Sequence, residues 1–166
     1  KAALYVSAGR EAWGLAGAKQ LQGKELSYNN LVDLDAAWEL TQEFAQPAAV
    51  IVKHNNPCGT AENAVLAEAY RQALACDPVS AFGGVLAFNR KLDAATAGEV
   101  AKLFVECIVA PGYDAAAREA LTGKKNLRLL EIGGDEPGSE GNLELKRISG
   151  GVLVQERDTR ALSDAD

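Results

Sequence analysis

No methionine occurs in the 166 residues, and only one histidine does. An intact translation product starts with methionine, so a chain beginning at Lys1 is expected to be an internal fragment or a processed chain. Basic residues are scarce as well. Lys and Arg together number 17 against 23 Asp and Glu, a formal net charge of -6. That balance argues against nucleic-acid binding through a broad basic surface. It leaves room for a small anionic ligand, because local donors outweigh a distant negative surface. No apolar run reaches the roughly 18 residues of a membrane helix, so no membrane association is expected. No basic start followed by an apolar stretch reads as a signal peptide. The cysteines, Cys58, Cys76 and Cys107, are odd in number and far apart. They are expected to be reduced thiols in a cytoplasmic protein.

What is present is the composition of a globular domain, 48% hydrophobic and 24% charged, with chain enough for one real core. Strand-like and helix-like segments alternate. "ALYV" (3–6) reads as a short strand, followed by a polar, Gly-rich stretch. Leu31, Leu34, Ala37, Trp38, Leu40 and Phe44 have helical spacing, with Asn29 or Asn30 as the cap and Pro47 beyond the end. "AAVIV" (48–52) reads as a strand buried on both faces, as in a parallel sheet. "NNPCG" (55–59) reads as loop, and Thr60 as the cap of a helix whose core face runs from Val65 to Leu74. "VLAF" (85–88), "CIVA" (107–110) and "LRLLEI" (127–132) read as further strands. Helices fall between them: one capped by Asp93, with Val100, Leu103 and Phe104 inward, and one from about Asp114 to Leu121. "GGDEPGSEGN" (133–142) reads as a polar loop, and "LELKRI" with "GVLVQER" as a final strand pair. The alternation predicts a layered α/β fold with a largely parallel sheet flanked by helices.

Chemistry concentrates in "VIVKHNNPCG" (50–59). Ligands of open parallel sheets bind at the carboxyl ends of strands, and Lys53 and His54 stand at such an end. Histidine is suited to proton transfer, its ordinary pKa being about 6.5. A lysine can stabilise a developing anion or donate a proton to a leaving amine. The competing reading is a single histidine hydrogen-bonded at a strand end. Zinc fits poorly. His54 and Cys58 are four apart, and Pro57-Cys58 resembles part of a zinc deaminase signature. That signature needs a second cysteine where Ala61 stands, and a His-x-Glu that the chain lacks. In "SAFGG" (80–84), Gly83 and Gly84 would let backbone N–H groups come close to a ligand, or would simply make a tight turn. Glu106, bordering "CIVAPGY", could accept hydrogen bonds from ribose hydroxyls; most other carboxylates are expected to be solvated.

"LSYNNLVDLDAAWEL", "VIVKHNNPCGTA", "DPVSAFGGVLAFNR", "ECIVAPGY" and "GGVLVQERD" occur in that order. Over nearly the whole chain they closely resemble the transformylase part of the AICAR transformylase/IMP cyclohydrolase family of purine biosynthesis. The resemblance implies a cytidine deaminase-like layered fold without zinc, with residues 1–166 as the first of two such subdomains. It implies formyl transfer from 10-formyltetrahydrofolate to the 5-amino group of the AICAR nucleotide. In that reading His54 is the base at the amine. Lys53 stabilises the tetrahedral transition state or helps protonate the departing folate nitrogen. Gly83 and Glu106 match positions that contact the nucleotide, and Asn55, Asn56 and Phe82 lie close to them in sequence. The family's Arg-Tyr-Gly and Asn-Pro-His stretch, its cyclohydrolase domain and its second deaminase-like half are not in this sequence, and its site forms at a homodimer interface. The chain is therefore expected to carry the catalytic pair without being active alone. A non-catalytic nucleotide-binding or dimerisation module that retains the motifs is the alternative.

Overall fold

The computed structural model describes residues 2–6, 13–133 and 143–156. The chain divides into two compact units, residues 1–134 and 135–166. In the first, a 3-10 turn (Gly14–Gly17) precedes β1 (Lys19–Gln22), α1 (Tyr28–Gln42), β2 (Ala48–Lys53), β3 (Asn56–Glu62), α2 (Leu66–Cys76), β4 (Val85–Phe88), α3 (Ala94–Val100), β5 (Cys107–Ala110), α4 (Ala115–Thr122) and β6 (Arg128–Glu131).

These six strands form one sheet in the order β1-β6-β5-β4-β2-β3. β4, β5 and β6 are mutually parallel. β2 is antiparallel to both β4 and β3, and β1 is antiparallel to β6. Four of the six strands, β3 to β6, therefore point one way, and β1 and β2 point the other. The α/β class with a largely parallel sheet holds. The pairing of β2, however, is antiparallel on both sides.

β2 is nonetheless buried on both faces, as its apolar run requires. Ala49 and Ile51 join the core beneath α2, α3 and α4, together with Leu86, Phe88, Ile108 and Leu129. Val50 and Val52 join the opposite core beneath α1, with Val85, Ala87, Val109 and Leu130. One helix thus covers one face and three cover the other. The Tyr113 hydroxyl lies 3.0 Å from the carbonyls of both Ile108 and Leu130, tying β5 to β6 from within the core. Asn89 is a second polar tie. Its side-chain amide donates to Thr41, Phe44 and Gln46 carbonyls, and its Oδ1 accepts the Ala48 N–H at 2.7 Å. This fixes the end of α1 against the start of β2.

Several boundaries differ from the sequence reading. Residues 2–6 form no strand. α1 is capped by Ser27 rather than Asn29 or Asn30. Ser27 Oγ accepts the Asn30 N–H at 3.1 Å, and Asn30 Oδ1 accepts the Ser27 N–H at 3.1 Å, a reciprocal pair that satisfies two donors at the helix start. Thr60 lies inside β3, and α2 begins at Leu66. Phe104 is half exposed, beyond the end of α3. Asp93 does cap α3, accepting the Thr96 N–H at 2.7 Å. The Gly-rich stretch 134–142, residues 7–12 and Arg157 lie outside the described residues. In the second unit β7 (Leu143–Ile148) and β8 (Gly151–Glu156) form the expected hairpin, turning at Ser149 and Gly150. Among the described residues no helix is long and apolar enough to cross a membrane.

Candidate active site at the β2–β3 turn

The register Lys53↔Asn56 leaves His54 and Asn55 as a two-residue hairpin turn. Both have positive φ, 53° and 63°, the pattern of a type I′ turn. Such turns favour Asn-Gly, because most side chains clash in the left-handed region. Asn and His are among the residues found there more often than others. The turn is stapled twice. Asn56 Nδ2 donates to the His54 carbonyl at 2.9 Å, and Asp33 Oδ1 on α1 accepts the Asn55 N–H at 2.8 Å. The composition of 55–59 predicts a loop. The structure makes Asn56 to Gly59 the start of a strand instead, with the whole bend compressed into His54 and Asn55.

His54 is exposed at the tip of this turn. Its ring is therefore not enclosed in the core. Lys53, one residue earlier, is partly buried and its Nζ donates to the Phe82 carbonyl at 2.8 Å. An ammonium has three N–H donors, so this bond fixes its position and leaves donors for a ligand.

The antiparallel pairing of β2 decides what lies next to the turn. Because Val52 faces Val85 and Val85 faces Cys107, the end of β2 meets the beginnings of β4 and β5. Lys53, Gly84 and Glu106 therefore fall side by side on one edge of the sheet. Neighbouring strands are about 4.8 Å apart, which puts the Lys53 and Glu106 backbones about 10 Å apart. The carboxyl-end rule points to this end of β2. It could not see that "SAFGG" and Glu106, at strand beginnings, arrive at the same edge.

Phe82 is 57% exposed, and its ring lies 5.2 Å from that of Phe104. Gly83 has φ +74°. Its N–H donates to the Phe104 carbonyl at 2.8 Å, and the Gly84 N–H donates to Ala81 at 3.0 Å. Both donors expected to meet a ligand are thus engaged within the fold, and a Cβ on Gly83 would stand 3.6 Å from the Phe104 ring. Gly84 is closely enclosed, since a Cβ there would stand 3.0 Å from the carbonyl oxygens of Ala81 and Val52.

Glu106 Oε2 accepts from Asn30 Nδ2 at 2.9 Å and lies 3.7 Å from Arg128 Nη1. Asn30, Asp33 and Arg128 escaped the sequence reading. A usable signal existed for Arg128, a cation near the start of the apolar run "LRLLEI". For Asn30 and Asp33 the only signal was their three-residue spacing at the start of a helix.

Beside the turn lies a cleft of about 380 Å³ lined by Lys53, His54, Asn56, Pro57, Cys58, Asp77 and Ser80. Hydrogen bonds from the Ser80 side chain and backbone hold the Asp77 carboxyl below the usual range. Burial, with Asp77 adding and Lys53 opposing, pushes the Cys58 thiol up. A raised thiol is a poor nucleophile near neutral pH. Among the described residues no group of three or more His, Cys, Asp or Glu is placed to hold a metal.

A family model described as AICARFT/IMPCHase bienzyme matches residues 1–166. The bifunctional purine biosynthesis protein PurH of Rhodospirillum rubrum is 54% identical over 153 residues, covering 92% of this chain and 29% of that protein. The PurH of Roseobacter denitrificans is 53% identical over 165 residues, covering 98% and 31%. The chain thus spans about three tenths of the length of the curated relatives it matches. Among solved structures, RibD of Acinetobacter baumannii aligns over 59% of this chain and 31% of that one, with a TM-score of 0.44 at 16% identity. A likeness that weak leaves the fold to be read from the strands themselves.

Proposed function

The chain belongs to the AICARFT/IMPCHase bienzyme family, and from that premise we propose that it carries the formyl-transfer half of the activity. In this reading it is the first of two cytidine deaminase-like subdomains of a longer enzyme. The 5-amino group of the AICAR nucleotide attacks the formyl carbon of 10-formyltetrahydrofolate. A tetrahedral adduct forms, the bond to the folate nitrogen breaks, and tetrahydrofolate leaves.

The supporting observation is the edge that gathers Lys53, His54, Phe82, Gly83 and Glu106. The 5-amino lone pair is delocalised into its ring, so attack needs a base to take the amine proton as the new bond forms. His54 is exposed and held on a stapled turn, the mount such a base needs. Lys53, fixed by the Phe82 carbonyl, would stabilise the oxyanion of the adduct or hand a proton to the departing nitrogen. Glu106, about 10 Å along the edge, would accept hydrogen bonds from the ribose. Asn30 and Arg128 take one of its oxygens, and a carboxylate has capacity for more. Asn55, Asn56 and Phe82 border the nucleotide. The enzyme would work as a cytoplasmic homodimer with no resident metal. The non-catalytic alternative draws no specific support from the site.

His54→Ala in the full-length enzyme tests this. A lost general base is expected to lower kcat by about 10²–10⁴-fold while the nucleotide KM changes little. Wild-type kcat in that variant would remove His54 from the mechanism. The 166-residue chain alone is expected to show no turnover, being three tenths of its relatives; turnover near that of the whole enzyme would contradict this.

A further inference from the structure

Two consecutive non-glycine residues with positive φ are strained relative to ordinary backbone. They persist only where their surroundings leave no alternative. At His54 and Asn55 the β2–β3 ladder closes the turn from one side. The N–H of a central turn residue lies outside that ladder. At Asn55 this N–H is taken by Asp33 Oδ1 at 2.8 Å, across 22 residues of chain. The bond is charge-assisted, a kind about twice as strong as a neutral one.

Asp33 is well placed to impose a geometry. It stands on α1, whose buried Leu34 and Ala37 seat the helix on the sheet and whose start is fixed by the Ser27–Asn30 pair. Asn30 is three residues before Asp33, hence on the same helix face, and it holds Glu106. One rigid helix therefore reaches both ends of the candidate edge. Without the carboxylate, the turn is free to relax toward types I or II. Those splay the strands and would swing the His54 ring off its line.

We propose that Asp33 is a positioning residue for formyl transfer, holding the His54–Asn55 turn in its left-handed conformation so that the His54 imidazole meets the substrate amine. This rests on the role given to His54 above.

The test uses the full-length enzyme with Asp33→Ala, Asp33→Asn and His54→Ala, alone and combined, reading kcat, nucleotide KM and melting temperature. Asp33→Ala is expected to lower kcat about 10–100-fold, the scale of a misplaced catalytic group, with KM within about twofold. Asp33→Asn keeps an acceptor oxygen at the same place and is expected to stay within about threefold of wild type. Adding Asp33→Ala to His54→Ala is expected to cost less than about twofold more, since a base already removed cannot be misplaced. Wild-type kcat in Asp33→Ala overturns the proposal, whatever its melting temperature. So does Asp33→Asn as slow as Asp33→Ala, or a full multiplicative loss in the His54→Ala background. Asp33→Ser, too short to reach Asn55, carries the same outcomes if Asp33→Ala does not fold. An unaffected His54→Ala sinks the mechanism itself, a result distinguishable from failure of the Asp33 role.

Discussion

Gly59 closes the Lys-His-Asn-Asn-Pro-Cys-Gly run, yet its work is packing rather than chemistry. A Cβ there would overlap the Ala73 carbonyl on α2 and press on Cys76 Cβ at 3.0 Å. Gly59→Ala is expected to lower stability by about 1–3 kcal/mol, the usual cost of overpacking, with kcat per folded molecule unchanged. Equal melting temperatures for variant and wild type would show that the helix yields. Cys107 differs from Cys58 in degree. Burial pushes its thiol up to about 12, Glu106 adding and Arg128 opposing. The folded state therefore holds this proton more tightly than the unfolded chain does. The resulting stability is complete below the ordinary thiol pKa of about 8.5 and fades as pH climbs from there toward 12. Cys107→Ala is expected to flatten part of that alkaline decline. Urea midpoints measured from pH 8 to 11 check it, and identical slopes would contradict it. Residue type and a strand-end position mark Lys53 and His54, and Glu106 stands out only by bordering "CIVAPGY". Such signals could not mark Asp33, whose importance lies in a backbone N–H that no sequence pattern displays.

Among the elements, β2 was the most legible and the most misleading. Five buried residues in a row do report burial on both faces. They are silent about direction, because an antiparallel strand covered by helices on both sides needs the same run. The two-residue turn was hidden for a related reason: His54-Asn55 lacks the glycine that usually marks a type I′ turn, and Pro57 argued for a loop. α1 was legible in its apolar spacing, and its true cap, Ser27, lies two or three residues before the expected Asn29 or Asn30. Ser27→Ala removes one half of the reciprocal cap and is expected to cost about 1 kcal/mol. Because Asn30 also reaches Glu106, the same change is expected to raise the nucleotide KM modestly. A melting shift without any KM change would separate the cap from the site. Glu106→Ala is expected to raise KM with kcat nearly intact, since a ribose contact acts about equally in ground and transition states. A collapse of kcat alone would assign Glu106 elsewhere.

For the whole molecule, alternation of strand and helix was enough for the α/β class, while strand order was not. Nothing in "KQLQ" announces that β1 pairs with β6. That pairing joins residues more than 100 positions apart, and Gln22 adds hydrogen bonds to the carbonyls of Leu121, Lys124 and Leu127 at separations of 99, 102 and 105. During synthesis β1 must wait for its partner. At about 5–20 residues per second the delay is roughly 6–20 s, long against hairpin formation in microseconds. The β2–β3 hairpin and its neighbours can close while Lys19–Gln22 is still unpaired. The composition of β1 suits that interval: three of its four residues are polar, so the waiting strand offers little to aggregation. A ribosome-stalled chain ending before Arg128 should keep residues 19–22 open to protease, whereas one ending well past Glu131 should protect them.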